Sequence, residues 1–165
     1  MNILAKKENK LFLILGGFFI ANALIAEFIG VKIFSLEGTL GIEPLVYSLF
    51  GEEMSFNLTA GVVLWPVVFI MTDIINEYYG TRGVKFLSYL TVGLIIFAFA
   101  MVYAAIHLTP AAWWISSAAD AGVPNFQLAF AKIFGQGLWI ILGSLVAFLI
   151  GQLLDVAVFH KLKSI

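Results

Sequence analysis

LTAGVVLWPVVFIMTDIINEYYG, residues Leu58–Gly80, decides the fold because it joins a membrane-length apolar run to a polar end. About 20 mostly apolar residues are enough for a helix to cross a bilayer. The run closes on Asp73, Asn76 and Glu77, which share one helix face at positions i, i+3 and i+4. This stretch therefore predicts a transmembrane helix that carries polar groups at one membrane edge.

Two aromatic residues, Trp65 and Phe69, lie above these polar groups on the same broad side of the predicted helix. An aromatic wall over carboxylates is typical of a site for a flat, polar ligand. Pro66 removes one backbone hydrogen bond, and its ring crowds the carbonyl of Val62. We therefore expect a kink or local unwinding in the middle of this helix.

The composition excludes a soluble domain. Hydrophobic residues make up 62% of the 165 residues and charged residues 12%, with a mean hydropathy of +1.03, whereas soluble proteins carry about 25% charged residues. We expect a single domain that forms an all-α polytopic transmembrane helix bundle in the lipid bilayer. Because no basic patch is present, we expect no nucleic-acid partner. The chain has no cysteine, which excludes disulfides and thiolate metal sites.

The apolar segments predict about four spans. Their approximate bounds are 11–34, 58–79, 86–107 and 134–158. Lys and Arg mark cytoplasmic segments, and most of the nine in this chain fall on the side shared by both termini: Lys6, Lys7, Lys10, Arg82, Lys85, Lys161 and Lys163. We expect both termini to be cytoplasmic, with 81–85 as a short basic connector. The acidic loop 35–56 is then outside, with its glutamates solvated.

Further polar residues lie within the first and fourth spans. Glu27 stands well inside the first span, where a charged group costs about 2.5 to 3.5 kcal/mol, so we expect it to face a protein interior. Gln152 and Asp155 lie one turn apart at the same depth as the polar end of the second span. They form a candidate site with it. The alternative is that these groups pair with Arg82 and only lock two helices together.

Two segments carry a family resemblance: TDIINEYYG at 72–80 and GQLLDVAVF at 151–159. Together they resemble the paired signatures of the queuosine-precursor transporters, also called vitamin uptake transporters. The resemblance covers nearly the whole chain. It implies an inner-membrane importer of 7-cyano- or 7-aminomethyl-7-deazaguanine for tRNA modification, with no cofactor and no enzymatic activity. Members usually have six spans, so we expect two further helices beyond Ile165 and a fragment here.

The chemistry of the polar residues agrees with such a substrate. One carboxylate can accept both N1–H and the exocyclic amine of a guanine-type ring, an aromatic side chain can stack on the ring, and an amide can read the carbonyl edge. A second carboxylate can balance an aminomethyl cation or carry a coupling proton. The residues expected to bind substrate are Asn22, Glu27, Trp65, Phe69, Asp73, Asn76, Glu77, Gln136, Gln152 and Asp155.

Two other functions remain open at this point. The chain has no P-loop, so it is alternatively a membrane substrate-binding subunit that depends on a separate ATPase coupling module. The small-residue surface of Gly143, Ala147 and Gly151 is a candidate docking face for that module. The third hypothesis is an intramembrane enzyme with Asp73, Glu77 and Asp155 as Mg²⁺ ligands. A homo-oligomer is compatible with any of these functions.

Overall fold

Six α-helices and four short strands make up residues 6–135 and 138–163, the part of the chain that the computed structural model describes. The helices are α1 (Lys7–Ile29), α2 (Leu36–Leu40), α3 (Trp65–Ile106), α4 (Ala112–Ile115), α5 (Phe126–Phe134) and α6 (Leu138–Lys163). The strands are β1 (Ile33–Ser35), β2 (Tyr47–Leu49), β3 (Glu52–Met54) and β4 (Asn57–Thr59), and 3₁₀ turns cover Ala60–Leu64 and Ala119–Ala121.

The chain reverses direction at Gly80, which divides α3 into a first arm (65–79) and a second arm (81–106). Gly80 has φ 67° and ψ −178°, a conformation outside the helical region. Tyr79 donates a hydrogen bond from its hydroxyl to the Glu8 carbonyl at 2.7 Å, while Gly61, before the first arm, packs on Ala26. The first arm is therefore antiparallel to α1.

The second arm runs parallel to α1. Its start lies beside Phe12, and Phe99 near its other end stacks on Phe28 with ring centroids 5.1 Å apart. The helix resumes directly after Gly80, so the prediction of a connector over 81–85 is wrong. One glycine is enough for the reversal because its missing side chain permits a backbone conformation that other residues avoid.

Pro66 does not kink the middle of a helix. It lies in the first turn of α3, directly after the 3₁₀ turn Ala60–Leu64. Proline is tolerated at this position because the first backbone N–H groups of a helix have no partner within the helix. The predicted mid-helix kink is wrong, and the unwinding lies on the amino-terminal side of the proline.

The segment between α1 and the first arm is an ordered double ribbon, whereas the sequence predicted a loop. β1 pairs antiparallel with β4, and β2 pairs antiparallel with β3. Glu37 is only 2% exposed, since its carboxylate accepts hydrogen bonds from the Phe56 N–H at 2.9 Å and from the Ser35 hydroxyl at 3.0 Å. The prediction that all the glutamates of this segment are solvated is wrong for Glu37.

α6 packs in the groove between α1 and the first arm. The ring of Phe148 lies 6.2 Å from that of Phe19 and 5.8 Å from that of Trp65, between centroids. The buried core continues through Val68, Ile75, Val84, Leu87 and Ile95. At one end of the bundle, called the basic end, lie the start of α1, the turn at Gly80 and the close of α6. The other is called the ribbon end.

Within the part of the chain that the structure describes, three stretches are long and apolar enough to cross a membrane: Lys7–Ile29, Ala60–Ile106 and Ile140–Phe159. The second contains both arms of α3, and each arm approaches or exceeds the roughly 20 residues that a span needs. The four long segments therefore form the predicted all-α polytopic transmembrane helix bundle. In the connection between the second arm and α5, Trp114 packs on Phe126 with ring centroids 5.0 Å apart.

Candidate functional site

The first arm and α6 meet through polar side chains near the basic end. The Thr72 hydroxyl oxygen lies 2.7 Å from Oε1 of Gln152 and 2.9 Å from the carbonyl of Val68 one turn earlier. Both Thr72 and Gln152 are 1% exposed. This contact joins the first arm to α6. The residues next to Thr72 on the first arm and those next to Gln152 on α6 therefore lie near one another.

Three buried polar atoms around this contact have no hydrogen-bond partner among the described residues. They are Nδ2 of Asn76, Nε2 of Gln152 and Oδ2 of Asp155. Buried polar groups are paired in the great majority of cases, so unpaired ones call for an explanation. Two donors and one acceptor here are open to a ligand. We call Thr72, Asp73, Asn76, Gln152 and Asp155 the Thr72–Gln152 cluster.

The cluster carries negative charge on both of its helices. Asp73 follows Thr72 on the first arm, and Asp155 lies one turn beyond Gln152 on α6. The contact of Thr72 with Gln152 brings the turns that carry these two carboxyl groups together. Asp73 is exposed and Asp155 is half-buried, so one carboxyl group of the cluster lies at its surface and the other lies further inside.

An aromatic layer covers the cluster on the side of the ribbon end. Phe148 lies one turn before Gln152 on α6 and packs between Phe19 and Trp65. Phe69 extends the layer, with its ring 6.0 Å from that of Trp65. Phe69 is also 39% exposed. A flat ligand that reaches the open polar atoms would therefore lie against aromatic rings.

Glu27 lies outside the Thr72–Gln152 cluster. It accepts a hydrogen bond from the Ser144 hydroxyl across the interface between α1 and α6. Ser144 precedes Gln152 by eight residues on α6, which corresponds to about 12 Å along the helix axis, with the aromatic layer between them. The structure therefore separates Glu27 from the acids with which the sequence analysis grouped it.

The remaining predicted residues have different surroundings. Asn22 is 7% exposed, and its amide donates to the Phe18 carbonyl of its own helix at 2.8 Å. Glu77 is exposed beside Gly80. Gln136 lies outside the described residues. The pairing of Arg82 with Asp73 or Glu77 remains a prediction.

The geometry does not support the metal-enzyme alternative. Within residues 6–135 and 138–163, no group of three His, Asp or Glu side chains converges as a metal site. Asp73, Glu77 and Asp155 all belong to that described part. They are therefore not arranged as the joint ligands of an ion.

An apolar cavity of ≈ 630 Å³ lies between the second arm, α5 and the start of α6. Phe99, Phe134 and Leu145 are among the side chains that line it. Tyr103 and His107 are its titratable lining residues. The cavity offers few partners to a polar ligand, in contrast to the Thr72–Gln152 cluster.

Three residues that make contacts in or near the site were not singled out from the sequence: Thr72, Ser144 and Phe148. A threonine or serine within an apolar helix usually bonds to a carbonyl of its own helix, so its residue type carries no signal of an interhelical contact. Phe148 lies one turn before Gln152, as Phe69 lies one turn before Asp73. This matching four-residue spacing could have predicted that Phe148 belongs to the aromatic layer together with Phe69.

Comparison with known proteins places this arrangement in a family. Residues 59–165 match the family described as "Putative vitamin uptake transporter". The chain belongs to this family. The matched region contains the Thr72–Gln152 cluster, the first arm and α6, whereas α1 and most of the double ribbon precede it.

A relative in Bacillus subtilis (strain 168) is described as "Probable queuosine precursor transporter". It is 31% identical over 114 residues, which cover 69% of this chain and 45% of the relative. The chain thus spans less than half the length of that relative. No solved structure matches the chain.

Proposed function

We propose that this chain imports a queuosine precursor, 7-cyano- or 7-aminomethyl-7-deazaguanine, across the inner (plasma) membrane. The family and the name of the B. subtilis relative support transport of this kind of molecule. The observation that carries the proposal is the set of unpaired polar atoms of Asn76, Gln152 and Asp155, buried beneath aromatic rings between two helices. These atoms define what the ligand must offer.

The open atoms match the edge of a guanine-type ring. That edge carries a carbonyl acceptor next to N–H donors. The amide N–H groups of Gln152 and Asn76 bind the carbonyl, and the Asp155 carboxylate accepts from the ring N1–H and the exocyclic amine. Hydrogen bonds to an ionised carboxylate are stronger than those between neutral groups. Because the protein groups are already buried and unpaired, the ligand restores partners that the fold does not supply.

The aromatic layer supplies the second part of recognition. Trp65 packs against Phe69 and Phe148, which lie one turn before Asp73 and Gln152, and a heterocycle can stack on these rings. Stacking on an aromatic side chain is worth about 1 to 3 kcal/mol per base. A planar heterocycle therefore gains from both parts of the site, whereas a non-planar polar metabolite gains from only one.

The proposal places the cluster near the cytoplasmic face. Basic side chains Lys7, Lys10, Arg82 and Lys85 lie at the same end of the bundle as the cluster, and Lys and Arg mark cytoplasmic segments. The substrate would then be released toward the cytoplasm, where tRNA is modified.

The test uses cells that cannot make the precursor but can insert it into tRNA. These cells express the chain, receive labelled precursor in the medium, and are assayed for labelled queuosine in tRNA. We expect the parent chain to restore queuosine, and Gln152→Leu and Asp155→Asn to lose most of the uptake. Asp120→Asn is the matched control, since Asp120 is an exposed acid at the ribbon end.

The results of this assay test the assignment of the site and the proposed import separately. If the parent and both cluster variants restore queuosine equally at equal membrane abundance, the assignment of the site is wrong. If the parent is inserted in the membrane and restores none, the proposed import is wrong.

A further inference from the structure

Asp73 and Asp155 place two negative charges where a single carboxylate is enough for the ring donors of a guanine-type ligand. The two helices meet beside these acids, through the contact of Thr72 with Gln152 at 2.7 Å. This contact brings the turn of α6 that carries Asp155 against the turn of the first arm that carries Asp73. Like charges brought together by packing cost free energy unless a cation or a proton lies between them.

The surroundings show which kind of ligand offsets this repulsion. Gln152 is 1% exposed and Asn76 is 6% exposed, and their side-chain N–H groups have no partner among the described residues. The unpaired N–H donors of Asn76 and Gln152 therefore lie beside the two acids, Asp73 and Asp155. A ligand that fits both must present an acceptor next to a positive charge.

The two candidate precursors differ in this respect. In both, the substituent at position 7 lies beside the ring carbonyl. In the aminomethyl compound that substituent is an ammonium group, so an acceptor and a cation are adjacent. In the cyano compound the substituent is neutral and is itself an acceptor.

We propose that the site selects the cationic precursor, with the Asp73 carboxylate binding the aminomethyl ammonium group while Asp155 and Gln152 bind the ring. This inference rests on the proposed function and adds which precursor is preferred. Asp73 is the exposed acid and Asp155 the half-buried one. The strongly hydrated ammonium group thus stays at the open side, and the less polar ring enters beneath the aromatic layer.

The test is a binding titration of the full chain in lipid nanodiscs with each precursor. A charge-assisted hydrogen bond exceeds a neutral one by enough to change affinity about tenfold. We expect the aminomethyl compound to bind at least about tenfold more tightly than the cyano compound. Raising the salt concentration should reduce this preference, because ions screen the exposed Asp73 charge.

Variants assign the preference to one acid. Asp73→Asn should remove it, by weakening aminomethyl binding about tenfold while cyano binding stays the same or tightens. Asp155→Asn should weaken both ligands alike. Asp120→Asn is the control that keeps both affinities, and thermal unfolding of each variant checks that the chain is folded.

Each result has one meaning. Equal affinities for the two precursors, or cyano binding that takes up a proton between the acids, would overturn the inference while leaving import intact. A preference that survives in Asp73→Asn would overturn the role of that residue. If the folded parent chain binds neither precursor, both the proposed function and this inference are wrong.

Discussion

Gln152 is a buried amide that has a partner at only one end among the residues that the structure describes. Thr72 contacts its oxygen, while its nitrogen is open. A buried amide without a partner destabilises a fold, so the open end is suited to a group that arrives from outside. The amide oxygen has a structural role, because its contact with Thr72 holds the amide in one orientation and joins two helices.

Replacing Thr72 by Val should destabilise the bundle and weaken ligand binding. Valine keeps the shape of threonine but leaves the Gln152 oxygen without a donor, which costs about 1 to 3 kcal/mol. Thr72→Ser keeps the hydroxyl and loses only a buried methyl group, worth about 0.8 kcal/mol. Chemical unfolding in detergent should rank parent, Ser and Val in falling stability. A valine variant as stable as the parent would contradict the role of the hydroxyl contact.

The carboxyl group of Glu37 makes the double ribbon sensitive to pH. The Phe56 N–H that donates to its carboxylate, with further hydrogen bonds from the backbone and from Ser35, lowers the pKa of Glu37. A carboxyl group whose pKa is lower in the folded state stabilises the fold fully above its unfolded pKa, about 4.3. That contribution is lost as the pH falls through the folded pKa.

The ribbon should therefore loosen in acid. We expect the hydrogen-exchange protection of the Phe56 amide to be constant near neutral pH and to fall as the pH drops below about 4. In Glu37→Gln the protection should be lower at neutral pH and nearly independent of pH. Protection factors corrected for intrinsic exchange make this comparison. Protection in the parent that does not change down to the folded pKa would contradict it.

Among the elements, α3 determines the arrangement of the others, because both of its arms pack on α1. The reversal depends on Gly80, and the close approach before the first arm depends on Gly61. A Cβ at Gly61 would collide with the carbonyl of Ala26. The two glycines act differently, since Gly80 supplies a backbone conformation and Gly61 supplies space.

Replacing Gly80 by Ala should destabilise the protein by about 1 to 3 kcal/mol, because its φ of 67° with ψ of −178° is a conformation restricted almost entirely to glycine. Gly93 is the matched control. It lies within the second arm of the same helix, and a Cβ there meets nothing within 4 Å. Gly93→Ala should be neutral or stabilising by up to about 1 kcal/mol. Equal unfolding midpoints for the two variants would contradict the strained reversal.

At the scale of the whole molecule, charge separates the two ends of the bundle. The basic end carries Lys6, Lys7, Lys10, Arg82 and Lys85, and the ribbon end carries the acidic double ribbon. This asymmetry predicts that the basic end faces the cytoplasm. The prediction requires the basic residues to lie at one end of the bundle. The fold meets this requirement, because the start of α1, the turn at Gly80 and the end of α6 lie together.

The absence of cysteine from the chain makes this orientation directly measurable. Single cysteines at Phe50, the 99% exposed tip of the ribbon, and at Lys7 and Arg82 report on the two ends. In intact spheroplasts an impermeant maleimide should label only Phe50→Cys, and after permeabilisation it should label all three. Labelling of Arg82→Cys in intact spheroplasts would reverse the orientation.

Much of the bundle could be predicted from the sequence, because the length of an apolar run determines whether a helix can span a membrane. The ribbon could not, since each of its strands has three residues, too few for alternation to stand out. The reversal was expected over 81–85, where the charges lie, but the backbone turns at Gly80 alone. Composition indicates the region in which the chain turns, whereas the residue at which it turns is the one whose backbone can adopt a positive φ, here Gly80.

The candidate site was predictable in part for a similar reason. The depth of a side chain follows from its position along a helix at a rise of about 1.5 Å per residue. The meeting of the first arm with α6 near Asp73 and Gln152 could therefore be anticipated. The same rise separates Glu27 from them, but its partner Ser144 could not be identified, because rotation of a helix about its axis leaves depth unchanged.

By itself, the sequence determined that this protein is a helical membrane bundle, where its long helices run, and how deep each polar group lies. Those properties depend on composition and on distance along one chain. Only the tertiary structure decided that Thr72 contacts Gln152, that the turns carrying Asp73 and Asp155 meet, and that Glu27 lies beyond the aromatic layer. Contacts between helices depend on how side chains interlock across each interface, and packing sets that rotation and register.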